Sequence, residues 1–198
     1  MRPAAMGHHL VETRFGPVGI AWSEHGLTRL QLPGRDAAET ERLLTMPRNG
    51  FHNAECRADA KVILEALLPP AMAQLAGSLK RYAAGERVDL RAVPVHLRGV
   101  GDFRKAIYRE ARTIGFGEVT TYGELAERAG HAGAARETGQ AMGSNPCPLV
   151  IPCHRVLAAG RKPGGFSAPG GVSTKTRLLS LEGVRLGPDA PAQTSFGF

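Results

Sequence analysis

Cys153 and His154 stand side by side in the string Asn145-Pro146-Cys147-Pro148-Leu149-Val150-Ile151-Pro152-Cys153-His154-Arg155-Val156. A thiol is a poor nucleophile until it loses its proton, and at an unperturbed pKa of about 8.5 only a small fraction is thiolate at neutral pH. A neighbouring imidazole is the usual remedy. Residues 149–151 form an apolar lead-in, and Pro152 fixes φ and removes a backbone donor, so the run cannot continue as an ordinary paired strand. The thiol is therefore expected at the end of a stiff, buried approach. A bare Cys-His pair is more often a packed thiol beside a hydrogen-bonded histidine. The length of the whole string sets this pair apart.

Two chemistries are open to such a thiol. Attack on a carbonyl gives a thioester, which water cleaves, and requires an oxyanion hole. Attack on an sp3 alkyl carbon gives a thioether, which water does not cleave at useful rates, so the protein acts once. The residues alone do not choose between them.

The elements that must position this string are legible in outline. Residues 9–14, 18–22 and 27–32 read as three short strands, with a turn at residues 15–19 and the last strand half-buried by its alternation. Asp36 is placed to cap a helix running to about Thr45. A helix is expected over residues 58–68, stopped by Pro69-Pro70. A second apolar stripe, Leu75, Leu79 and Tyr82, is closed by Gly85. Residues 88–97 read as extended and broken by Pro94. No constellation in this first half carries chemistry, and Cys56 receives no role.

Residues 98–101 form the junction. Phe103, Ile107, Ala111 and Ile114 recur at helical spacing after Asp102, which is placed to cap the helix, with Arg104, Lys105, Arg109 and Arg112 on the other positions as a solvated or phosphate-facing surface. Thr121 and Glu124 make a capping box. The helix they start, a short Gly-containing connection at residues 131–133 and a helix over residues 134–144 form a helix-turn-helix. The second helix is rich in small residues, which suits close approach to a DNA backbone or to another helix. The loop at residues 157–171 is too rich in Gly and Pro for a regular element and reads as a shaped binding loop. Ser173 is expected to cap a last helix ending at Glu182.

The fold class is α/β: a small N-terminal α/β unit (residues 1–97), then a mainly helical, winged-helix-like unit carrying the helix-turn-helix (98–184), then a loosely ordered tail (185–198). The 198 residues carry a net charge of +7, and residues 97–198 hold 13 Lys/Arg against 8 Asp/Glu. A basic surface on the half that holds Cys153 fits nucleic acid, although solubilising charge gives the same number. No apolar run is long enough to span a membrane, and the first seven residues do not resemble a signal peptide, so a cytoplasmic protein without membrane association is expected. Three cysteines without a Cys-x-x-Cys pair fit a reducing compartment.

The string around Cys153 closely resembles the active-site signature of the O6-alkylguanine-DNA alkyltransferases, also called methylated-DNA–protein-cysteine methyltransferases, and the resemblance extends from Phe103 to about Gly183. It implies irreversible, single-turnover transfer of an alkyl group from O6-alkylguanine, and less efficiently O4-alkylthymine, to Cys153. It also implies that His154 draws the thiol proton through a bridging water, that Glu182 orients the imidazole, and that Asn145 ties the active-site turn to the preceding helix. Tyr122 would crowd the phosphate and donate to the extruded guanine. Arg136 would fill the space that the base vacates. Ala135, Gly139 and Ser144 would lie along the DNA, in the minor groove. Phe166, Ser167, Val156 and Arg155 would form the pocket, with Arg155 bracing the turn. The resemblance implies no cofactor or metal, a monomer, and double-stranded alkylated DNA as partner.

Three departures stand out: Ala168-Pro169 is an insertion after Ser167, Glu137 puts a negative charge beside Arg136, and Gly143 replaces a common basic residue. A lesion sensor of the same fold, a helix-turn-helix regulator and a cysteine hydrolase are the alternatives. The acceptor thiol argues against the sensor.

Overall fold

The computed structural model describes residues 6–46 and 62–186. Cys56, the first part of the helix expected over 58–68, and nearly all of the tail expected from residue 185 lie outside the described residues.

The chain opens with a three-stranded antiparallel meander, β1 (Gly7–Thr13), β2 (Gly16–Ser23) and β3 (Gly26–Gln31), in the order β1-β2-β3. The turn is tighter than the sequence suggested. Gly16 already pairs with Thr13, and Thr13 Oγ1 closes the corner by donating to Gly16 O at 2.7 Å. Pro17 is tolerated inside β2 because β3 pairs with that strand only from Gly19 onward, so no ladder donor is needed there.

β3 is buried along its whole length rather than on one face. α1 (Ala37–Thr45) covers part of the sheet, and two other segments hydrogen-bond to the strand. Leu27 N donates to Pro94 O at 2.8 Å, and Leu30 N donates to Pro146 O at 2.9 Å. The first contact lays residues 94–96 beside β3 as a single parallel bridge, all that exists of the extended stretch expected over 88–97. It also explains Gly26: a Cβ there would meet Pro94 O at 2.6 Å. The second contact ties the sheet to the turn that carries Cys153. α1 starts where expected, with Asp36 Oδ1 accepting from Glu39 N at 2.7 Å.

The prolines at 69–70 begin a helix instead of ending one. Within the described part of 58–68 there is only a bridge from Val62 to His8 and a 3-10 turn, Glu65–Leu67. α2 (Pro70–Ala83) then starts on Pro70 at its first position, where the missing N–H has no partner to lose. Met72, Leu75, Ala76, Leu79 and Tyr82 form its buried face.

α3 (Asp102–Ala111) follows, with Gly101 rather than Asp102 at the cap position. Arg112, read with the basic surface of this helix, is a bracket instead: its Nη2 donates to Arg91 O (2.5 Å) and Val93 O (2.6 Å), holding the preceding segment against α3. α4 (Tyr122–Arg128) has the expected capping box from Thr121 and Glu124, and α5 (Ala135–Gly143) packs on it to complete the helix-turn-helix. Two short strands that the sequence did not reveal, β4 (Thr120–Thr121) and β5 (Val156–Leu157), pair in parallel and fasten the start of α4 beside the residues following Cys153.

α6 (Gly171–Leu181) begins earlier than expected. Its cap is Gly170 in the left-handed conformation (φ 78°), so Ser173 lies inside the helix. Thr174 Oγ1 donates to Pro169 O at 2.6 Å, and a Cβ on Gly170 would strike that hydroxyl at 2.3 Å. One continuous core runs from Val11, Trp22 and Leu79 to Ile107, Val150 and Ile151.

Candidate active site

The turn that presents Cys153 is held by one side chain. Asn145 Oδ1 accepts from Cys147 N at 2.9 Å, and its Nδ2 donates to Ile151 O at 2.7 Å. Ile151 N closes the loop onto Cys147 O at 2.8 Å. So tight a path forces Leu149 to φ 69°, a left-handed conformation costly for a branched side chain, while Leu149 itself is buried. The apolar run is thus a wound turn packed in the core. Cys153 then starts a 3-10 turn, Cys153–Arg155.

Cys153 is 8% exposed and lies on the wall of a cavity of about 420 Å³. Tyr122, Gly139, Met142, Gly143, Gly165, Phe166 and Ser167 form the rest of its lining. That is within the ~300–1,000 Å³ range of ligand pockets. Three strands of the sequence reading converge here: the first residue of α4, the small-residue face of α5 and the Gly-rich loop. Gly139 is open to the cavity because it has no side chain, and no atom stands within 4 Å of where its Cβ would be. Arg136 and Ala135 are exposed at the start of α5, and Ser144 ends it with its hydroxyl on Gln140 O and Ala141 O. Arg155 and Val156, expected in the pocket, do not line this cavity. Val156 is fully buried in β5.

Behind the thiol lies a buried ionic cluster. His154 Nε2 donates to Glu182 Oε1 at 2.9 Å, and both side chains are sealed from solvent. Arg155 donates to the same carboxylate from Nε (Oε2, 2.9 Å) and Nη2 (Oε1, 2.9 Å), and its Nη1 donates to Ile114 O at 2.6 Å. Gly117 N adds a donor to Oε2 at 3.2 Å. Glu182 reaches the cluster because it caps the C-terminus of α6. Because Nε2 carries the proton given to Glu182, Nδ1 of the neutral ring is left as the acceptor; it is buried and makes no hydrogen bond within the described protein.

The charges work against each other in an ordered way. Burial pushes the Cys153 thiol up, while the Asn145 side chain, the Lys175 ammonium and the backbone amides of Cys153 and His154 pull it down. Burial also lowers the His154 imidazole, against the upward pull of Glu182. Glu182 would be raised by its burial, but the hydrogen bonds and charges of His154 and Arg155 hold it well below the carboxylate range. Burial lowers Lys175 to about 8, against the upward pull of Cys153. The resting state is therefore a neutral thiol beside a neutral imidazole, with a fixed carboxylate to receive positive charge on the ring.

Two residues at this site escaped the sequence reading. Lys175 is fully buried; its Nζ donates to Val156 O at 2.6 Å and stands 5.7 Å from the centre of the Tyr122 ring. A signal was available: Lys175, Leu178, Leu179 and Glu182 share one helical stripe, which places the lysine on the face that carries the apolar residues. Tyr82 belongs to the half assigned no chemistry, yet its hydroxyl donates to Glu182 Oε1 at 2.6 Å. It was legible only as a member of the core stripe of α2.

Cys153 thus opens onto a cavity lined by residues of the helix-turn-helix, with the hydrogen-bonded His154–Glu182 pair buried behind it, an arrangement of the kind found in proteins that use a cysteine as nucleophile. Residues 102–184 match the family model of the 6-O-methylguanine DNA methyltransferase DNA-binding domain. The chain is 42% identical over 114 residues to the methylated-DNA–protein-cysteine methyltransferase of Mycolicibacterium paratuberculosis, covering 58% of this chain and 67% of that one. It is 31% identical over 179 residues to the enzyme of the same name from Methanosarcina acetivorans, covering 90% and 99%. The crystal structure of Mycobacterium tuberculosis OGT in complex with DNA superposes with a TM-score of 0.65 at 29% identity, over 89% of this chain and 92% of that one. The chain belongs to the methylated-DNA–protein-cysteine methyltransferase family.

Proposed function

We propose that Cys153 accepts the alkyl group of O6-alkylguanine extruded from double-stranded DNA, and that of O4-alkylthymine less efficiently. The observation that carries this is the placement of Cys153 on the wall of a base-sized cavity with His154 and Glu182 behind it. His154 takes the thiol proton through a bridging water, and Glu182 holds the resulting imidazolium. The thiolate sulfur attacks the alkyl carbon; the S–C bond forms, the C–O bond breaks, and the electron pair leaves on guanine O6. Tyr122, on the cavity wall, donates toward the departing base and offsets its negative charge. The thioether is stable to water, so each molecule reacts once.

Arg136 occupies the gap left by the extruded base, while Ala135, Gly139 and Ser144 run along the minor groove. Phe166 and Ser167 form the loop side of the pocket. Asn145 and Arg155 keep the turn rigid. The protein acts as a monomer in the cytoplasm, where a reducing environment preserves the thiol.

The test is the mass of the Cys153 peptide after incubation with duplex DNA containing O6-methylguanine. A gain of one methyl group is expected, absent in Cys153→Ser. A Ser variant that still takes the methyl group refutes the nucleophile, and tight lesion binding without any mass gain in the native protein makes it a sensor instead.

A further inference from the structure

Glu182 is contacted from both halves of the chain. His154, Arg155 and Gly117 reach it from the C-terminal half, and Tyr82 reaches it from α2, 100 residues away in sequence. Tyr82 is 1% exposed and its hydroxyl lies 2.6 Å from Oε1, the same oxygen that accepts from His154 Nε2. It is 3.5 Å from Nε2 itself. Its ring is locked edge-on between Phe15 (6.1 Å between centroids) and Phe116 (6.0 Å), so a phenylalanine would satisfy the packing equally well. The hydroxyl is the part that packing does not require.

We infer that Tyr82 is a positioning residue of the alkyl-transfer relay: by sharing Glu182 Oε1, its hydroxyl sets how firmly the carboxylate holds the His154 ring. This deepens the reading of Cys153, His154 and Glu182 given above and rests on it.

The physical argument concerns one oxygen with several donors. A carboxylate oxygen divides its acceptor strength among the groups that point at it. Tyr82 and Arg155 Nη2 both draw on Oε1, leaving less for an imidazolium at His154. The other charged neighbours are accounted for: Arg155 and Lys175 disfavour the charged ring, and Cys153 is the group it serves. Asp89 is held by Arg91 and feels the Arg155 charge only weakly. Among these, Tyr82 is a neutral donor whose proton stays in place, because burial and the charge of Glu182 push its phenol well above the usual range. It is a constant brake on the basicity of His154. It also makes the chemistry depend on the N-terminal half, which completes the relay from outside the helix-turn-helix unit.

The test is Tyr82→Phe in the full chain, followed through the pH dependence of single-turnover methyl transfer. Without the hydroxyl, Glu182 holds the imidazolium more firmly, so the His154 titration moves up. The acid limb of the rate profile is expected to shift to higher pH by roughly half to one unit, less than the full worth of a hydrogen bond to a charged group because only the difference between the two ring states is felt. 3-Fluorotyrosine at position 82 is a stronger donor of unchanged shape, and is expected to move the limb the opposite way. A limb that stays in place in both proteins, or moves down in Tyr82→Phe, overturns the inference. Glu182→Gln separates this from the parent reading: if it too leaves the limb unmoved, the relay itself is wrong, whereas a limb that moves in Glu182→Gln alone removes only the role of Tyr82.

Discussion

Arg155 grips Glu182 with two nitrogens, Nε on Oε2 and Nη2 on Oε1, both at 2.9 Å, in a space closed to water. The fork fixes the plane of the carboxylate, and that plane aims Oε1 at His154. The pair is therefore the frame of the site as well as part of its charge balance.

Removing the carboxylate leaves a guanidinium buried without its partner. Glu182→Ala is expected to cost about 3–5 kcal/mol of stability, measured by urea unfolding. The pH dependence follows from the lowered Glu182 carboxyl. The folded group releases its proton more readily than the unfolded one, at about 4.3, so its contribution is complete above that pH and is lost as the medium is acidified toward the folded value. Acid unfolding midpoints compared between native protein and Glu182→Gln measure this, and the native protein is expected to show the steeper loss below about pH 4.

The thiol is tuned by groups that act on its anion. Asn145 and Lys175 both oppose the effect of burial on Cys153. Lys175→Met is expected to raise the pH midpoint for alkylation of Cys153 by iodoacetamide by about one unit, a rate loss near tenfold at neutral pH. Because Lys175 loses its own proton at about 8, its help fades above that pH. The native rate profile is expected to flatten there, and that of Lys175→Met is not.

Arg136 stands exposed at the start of α5, outside the cavity lining. On the function proposed above, its role concerns the duplex and not the reacting bond. Arg136→Ala is expected to slow repair of duplex DNA by about 10–100-fold, since unstacking costs a few kcal/mol. Reaction with free O6-benzylguanine, which needs no extrusion, is expected to be unchanged. Equal losses on both substrates would place Arg136 in the pocket instead.

The local rules of the sequence held at two helix starts. Asp36 caps α1 and Thr121 with Glu124 caps α4, because these bonds span three residues. The same rules failed where two outcomes share one residue type. Pro69-Pro70 can stop a helix or start one, and the choice fell to the start because the fixed φ and missing N–H cost nothing at the first position. Ser173 lost the cap of α6 to Gly170, whose left-handed backbone lets the loop after Ser167 enter the helix a turn sooner. β4 and β5 were invisible because a two-residue strand has no periodicity.

The sequence by itself determined the Cys153-His154 pair, the helix-turn-helix and the membership of a family, since all of these are carried by contiguous strings. Tertiary structure decided which distant groups share the buried charge. It brought Tyr82 to Glu182 and sank Lys175 beneath the Tyr122 ring. The reason is physical: a motif is read along the chain, but the strength of an acid or base depends on burial and on every dipole and charge within a few ångströms, and those are assembled only when the two halves close on one another.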